Sequence, residues 1–130
     1  VRHGSSVIIL ESDISYNNEA GIGTDNGTSV IVDNFTTISN NEGGGIDAGL
    51  HCSVVINPES SITNNNNYGI KLSEDCGLVI NPDVTISGNG YLSEFCDGAD
   101  SCGVICGDTE SSALVLSEID DLIECTDFNE

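Results

Sequence analysis

Six cysteines, twenty-two carboxylates and only two basic side chains, Arg2 and Lys71, bound the chemistry open to this 130-residue chain. Acid–base catalysis on a glycoside needs carboxylates that converge. The nearest approach to such a set is Asp47 with His51, four residues on. His3 and His51 read as exposed residues rather than ligands or bases. Clustered carboxylates suit a hard cation such as Ca²⁺. Half of the acids lie in residues 94–130, so Asp97 and Asp100 are where such an ion would be sought. They lack the spacing of an EF-hand loop, so they read as a solvated loop. No resident cofactor is expected, and Ca²⁺ is the single ion for which there is a case.

The formal charge of −20 repels phosphate, which argues against nucleic acid and anionic membrane surfaces as partners. The longest wholly apolar run, Val7 to Leu10, is far too short to cross a bilayer, so no membrane insertion is expected. Cys52, Cys76, Cys96, Cys102, Cys106 and Cys125 include no metal-type Cys-x-x-Cys pair, and point to disulfides in an oxidising compartment. Asn26-Gly-Thr28 and Asn34-Phe-Thr36 make Asn26 and Asn34 glycosylation candidates. Together these place the chain outside the cell or on its surface. It starts at Val1 rather than Met, as a processed product or a piece of a longer solenoid would.

What positions these groups is a repeat. Ile14, Ile38, Ile62 and Ile86 recur at 24-residue steps, as do Ile22, Ile46 and Ile70, and Asn17, Asn41, Asn65 and Asn89. Gly21, Gly45 and Gly69 share one phase, and Cys76 follows Cys52 by the same step. A fixed period of this length marks a solenoid. Each coil opens with a β-branched run, Val7-Ile-Ile9, Val30-Ile-Val32, Val54-Val-Ile56 and Leu78-Val-Ile80. Asn57-Pro58 and Asn81-Pro82 end two of these runs, since proline cannot donate to a ladder. A second strand follows, Asp13-Ile-Ser15, Thr37-Ile-Ser39, Ser61-Ile-Thr63 and Thr85-Ile-Ser87, with its isoleucine inward and its flanks outward. The asparagines fall at the next corner, where stacked amides can form a ladder. The third strand is short, Gly21-Ile22, Gly45-Ile46 and Gly69-Ile70. Three short strands per coil predict an all-β, single-stranded, right-handed parallel β-helix.

One domain spans residues 1–130, with regular coils over 5–90. An insertion of about ten residues, roughly 91–101, returns Gly103-Val104 to the Gly-Ile phase and Ser111–Leu116 to the Ser5–Leu10 phase. The last coil and a cap occupy about 102–130. Ser117 to Glu124 starts like a capping box, with apolar residues at 119, 122 and 123, and predicts a short helix over the open end. Stacked strands lie about 4.8 Å apart, inside the ~4.4–6.8 Å Cα range of a disulfide. Cys52 is therefore expected to bond Cys76, while Cys96, Cys102, Cys106 and Cys125 keep three possible pairings.

At Thr37-Ile-Ser-Asn-Asn-Glu-Gly-Gly-Gly-Ile46 the repeat resembles units of the right-handed parallel β-helix, or pectate-lyase-like, superfamily. It is similar in particular to the Ser-Asn-Asn…Gly-Gly-Ala-Ile repeats of polymorphic outer-membrane adhesins. The resemblance covers about residues 5–90 and specifies fold, since the superfamily holds enzymes, adhesins and fibres alike. A polysaccharide lyase of this kind would imply Ca²⁺-binding Asp residues beside an Arg or Lys base. Arg2 and Lys71 lie about three coils apart, and no second catalytic acid lines up beside Asp47 and His51 on neighbouring coils.

The expected function is a non-catalytic extracellular module with a structural or adhesive role, able to self-associate through its β-helix ends into a head-to-tail fibre. Four to five coils give a stack only ~20–25 Å tall, a short groove for a polymer substrate. Two alternatives stand: a carbohydrate-active enzyme or polysaccharide-binding module with glycan partners, and an ice-binding protein. The last would use the outward Thr37/Ser39, Ser61/Thr63 and Thr85/Ser87 pairs, an array that Asp13 interrupts.

Overall fold

The β-branched runs and the Ile-centred triplets are strands in the computed structural model, which describes residues 4–90, 102–106, 112–119, 121–124 and 126–127. The chain is an all-β parallel solenoid of three sheets, with no helix among the described residues. The first sheet stacks β1 (Ser6–Ile9), β4 (Ser29–Val32), β7 (Ser53–Ile56), β10 (Gly77–Ile80), β13 (Ser112–Val115) and β15 (Thr126–Asp127). The second holds β2 (Asp13–Ser15), β5 (Thr37–Ser39), β8 (Ser61–Thr63) and β11 (Thr85–Ser87). The third holds β3 (Ala20–Gly23), β6 (Gly44–Ala48), β9 (Ile70–Leu72), β12 (Cys102–Cys106) and β14 (Leu122–Glu124).

Register follows the repeat. Ile14, Ile38, Ile62 and Ile86 are successive Cα partners, as are Ile22, Ile46 and Ile70. Ile38 and Ile62 are wholly buried, and Ile14, on the end coil, is half-buried against the same core. A single coil cannot cover these side chains, so each stabilises its neighbours only as part of the stack. Val104 pairs with Ile70 and Ala113 with Leu78, so the long fourth coil returns to the phase its sequence indicated. The insertion itself lies outside the described residues.

The corners obey one rule that the repeat alone does not spell out. Each has a residue with positive φ followed by an inward residue that is nearly always polar. Glu11, Phe35, Glu59 and Asp83 precede Ser12, Thr36, Ser60 and Val84 between the first and second sheets. Tyr16, Asn40, Asn64 and Gly88 precede the four asparagines. Gly27, His51 and Asp75 precede Thr28, Cys52 and Cys76. The inward side chain donates to a carbonyl one coil back, as Ser60 Oγ does to Asp33 O at 2.8 Å and Asn65 Nδ2 to Ile38 O at 3.1 Å. It also accepts the N–H of its counterpart one coil back, as Asn65 Oδ1 does from Asn41 at 3.1 Å. Buried backbone groups at the bend are thereby satisfied.

Left-handed backbone costs an L-residue about 1–2 kcal/mol, whereas glycine loses about 0.5–1 kcal/mol in chain entropy. Phe35 has φ 60° and leaves 60% of its surface exposed, so its ring contributes little packing in return. Phe35→Gly should therefore raise the urea midpoint, by a stability gain of about 0.5–1 kcal/mol. A lower midpoint would mean that the ring is held by contacts worth more than the strain.

The predicted terminal helix is not formed. Ser117, Ile119 and Asp121 instead occupy the second-sheet place of a fifth coil. Ser117 Oγ accepts from Val84 N at 3.0 Å and donates to Asn81 O, and so acts as that coil's corner hydroxyl. Ile119 packs against the core in the isoleucine phase, and Asp121 takes the asparagine place. Asp121 follows Ser117 by four positions, against five from Ser60 to Asn65, too few for the strand that the other coils form there. Covering the core with Ile119 while extending both other sheets outweighs the local preference for a helical turn.

Candidate functional site

The asparagine ladder is continuous through four coils. Asn17, Asn41 and Asn65 each donate a side-chain N–H to the Oδ1 of the next, at 2.8–2.9 Å. Asp121 terminates it, accepting from Asn89 Nδ2 at 2.7 Å, Asn89 N at 3.2 Å and Gly88 N at 3.0 Å. A carboxylate fits that end because both of its oxygens must accept.

Two cysteines, Cys52 and Cys76, fill a corner role rather than a covalent one. Cys52 and Cys76 are buried thiols, not the expected disulfide. In-register side chains of a parallel stack sit about 4.8 Å apart, beyond the ~3.5–4.5 Å Cβ spacing that a disulfide requires. Each sulfur turns the same way, Cys52 Sγ to Asp25 O at 3.0 Å and Cys76 Sγ to Gly49 O at 2.8 Å. Burial pushes the Cys76 thiol up, which keeps it protonated and able to donate. The pairing of Cys96, Cys102, Cys106 and Cys125 lies outside what the described residues show, as do His3, Arg2, Asp97 and Asp100.

The candidate glycosylation sites Asn26 and Asn34 are exposed at corners, while Thr28 and Thr36 of the same sequons point inward. His51 is also at a corner, and faces Asp75 of the next coil at 3.4 Å rather than Asp47. Asp47 has Lys71 as its register partner on the outer face of the third sheet. That row of partners runs Gly23, Asp47, Lys71, Ile105 and Glu124, so the next carboxylate in it stands three coils beyond Asp47.

Two outer faces are regular. On the second sheet Asp13, Thr37, Ser61 and Thr85 form one column and Ser15, Ser39, Thr63 and Ser87 another. Ser61 Oγ donates to Thr37 Oγ1 at 3.4 Å. On the first sheet Ile8, Ile31, Val55, Val79 and Leu114 form an apolar outward column beside Ser6, Ser29 and Ser53.

A concave site lies where the second sheet turns into the third. A cleft of about 380 Å³ is lined by Asn18, Glu19, Ala20, Gly23, Gly43, Asp47 and Tyr68. Tyr68 stands in phase with Ala20 and Gly44, and is 5% exposed. Its ring crosses Gly44 so closely that a Cβ there would lie 2.3 Å from Cε1. Gly44 also has φ 130°, which excludes other residues. Burial first, and the Asp47 carboxylate second, push the Tyr68 hydroxyl above the ordinary phenol range, so it remains a donor. The chain matches no family model, no curated protein and no solved structure. The cleft was not read from sequence. Its signal is the break in the small-residue column, where Tyr68 replaces Ala20 and Gly44, beside the three glycines 43–45.

Proposed function

We propose that the chain is a non-catalytic extracellular β-helix module with a structural or adhesive role, acting by presenting a rigid periodic face. The hydroxyl columns of the second sheet carry this reading. Eight positions flanking the inward isoleucines of four strands repeat in register, seven of them Ser or Thr, with Ser39 the one that is buried. Strands about 4.8 Å apart hold these hydroxyls at a fixed spacing without further ordering cost, which suits a repetitive surface better than a single small substrate. The apolar column of the first sheet gives the −20 chain a second face of low charge. The four cysteines outside the Cys52/Cys76 column and two exposed sequon asparagines support placement outside the cell. The repeat's resemblance to right-handed pectate-lyase-like adhesins agrees with the same role.

End-to-end stacking into a fibre draws support from β1, β2 and β3, each of which pairs on one side only among the described residues. An in-register stack would set the acceptors of Asp121 against the Asn17 carbonyl, so presentation of a face is the better supported structural role.

The test is partition of the protein onto insoluble cellulose, insoluble chitin and growing ice. Retention on one of them, lost in Ser61→Lys/Thr63→Lys with an unchanged unfolding midpoint, is the expected result. Ice as the retaining surface would select the ice-binding form of this reading. No retention on any, or retention indifferent to the two lysines, removes the hydroxyl face from the function. Turnover of pectate or alginate abolished by Lys71→Ala would make the chain an enzyme.

A further inference from the structure

The cleft between the second and third sheets contains a polar group that its own fold leaves unused. Tyr68 is 95% buried, yet its hydroxyl makes no hydrogen bond to a described residue and sits at the cleft beside the carboxylates Glu19 and Asp47. That oxygen is not enclosed but opens on the cleft, so a donor entering there can bond it while satisfying the carboxylates. Two carboxylates on one cleft favour a cationic ligand. A protonated primary amine has three donors and no acceptor, one each for Glu19, Asp47 and the Tyr68 oxygen. A metal ion fits less well, because no three His, Cys, Asp or Glu side chains among the described residues are grouped to hold one.

A second cleft of about 260 Å³ adjoins this one at Glu42–Gly43, lined by Tyr16, Asn40, Asn41, Glu42, Asn64 and Asn66. Amides both donate and accept, as sugar hydroxyls require. Tyr16 leaves 80% of its surface exposed at its corner. Its ring offers an apolar face to a pyranose. The methylenes of a lysine side chain would offer the amides nothing to bond.

We propose that the paired clefts bind an amino sugar of a cationic glycan, its ammonium between Glu19, Asp47 and Tyr68 and its ring against Tyr16. This site is separate from the hydroxyl face and does not rest on the structural reading.

Calorimetric titration with a glucosamine tetramer tests it, against the N-acetylated tetramer and a tetralysine peptide. The glucosamine tetramer should bind, and the acetylated chain, which lacks the ammonium, should bind at least ~10-fold more weakly. Asp47→Asn and Glu19→Gln should each weaken binding by ~10-fold, and Tyr68→Phe, which keeps the ring on Gly44, by ~5-fold or more. No binding of the glucosamine tetramer overturns the proposal. So does equal binding of the acetylated chain, or an affinity unmoved by Asp47→Asn in a variant whose unfolding midpoint is unchanged. Tetralysine bound as tightly and through the same residues would assign the cleft to a peptide ammonium and overturn the glycan. The Ser61→Lys/Thr63→Lys protein should bind the tetramer as well as the parent does, which separates this site's failure from that of the face.

Discussion

Asn65→Leu should destabilise the solenoid by about 2–6 kcal/mol, although leucine is close to asparagine in shape. Asn65 is 1% exposed, and its side chain makes four hydrogen bonds to three neighbours. Its Oδ1 accepts from Asn41 N at 3.1 Å and Asn41 Nδ2 at 2.9 Å. Its Nδ2 donates to Ile38 O at 3.1 Å and Asn89 Oδ1 at 2.9 Å. Leucine would leave the Asn41 amide and the Ile38 carbonyl buried without that partner, at about 1–3 kcal/mol each. Such a loss is a large share of the ~5–15 kcal/mol that holds an ordinary domain together. Asn66→Ala, on a side chain one residue away that is not part of the ladder, should stay within about 0.5 kcal/mol of the parent. Urea unfolding of the parent and the two variants decides it. Similar midpoints for Asn65→Leu and the parent would mean that the ladder is decoration on an isoleucine core.

Gly45→Ala should cost about 3 kcal/mol or more, near the upper range for overpacking. A Cβ on Gly45 would lie 2.3 Å from the Gly69 carbonyl oxygen and 2.8 Å from Ile62 Cγ2. The first of these is backbone of the next coil, so relief requires the coils to separate. Gly23 and Gly77 have open space where a Cβ would go and no positive φ. Alanine at either should be neutral or raise stability by up to about 1 kcal/mol. Thermal unfolding separates the cases. An unfolding temperature for Gly45→Ala equal to that of Gly23→Ala would show that the coils at this corner stand further apart than the geometry has them.

The period, the three strands of each coil, their register and the buried isoleucine and asparagine columns were all legible in residue order. Translation by one coil puts residues 24 apart into the same surroundings, and equal surroundings select equal residues. Ile38 and Ile62 could be placed in the core from their spacing. Whatever departs from that translation needed the packed coils. The fifth coil is short between its corners, so Ser117 reads as the start of a capped helix with apolar residues at 119, 122 and 123, until the core and the ladder beneath are seen to require Ser117, Ile119 and Asp121 in their places. Cys52 and Cys76 share a phase, but phase alone does not distinguish a bond between coils from two thiols each turned to a carbonyl one coil back. Strain at Phe35 and Tyr16 is invisible in composition, because the bend that imposes it belongs to the stack and not to the residue. The cleft at Tyr68 is the clearest instance. Its ring rises from the third coil across a glycine of the second and lines one cleft with Glu19 of the first, and stacking is what brings those three together.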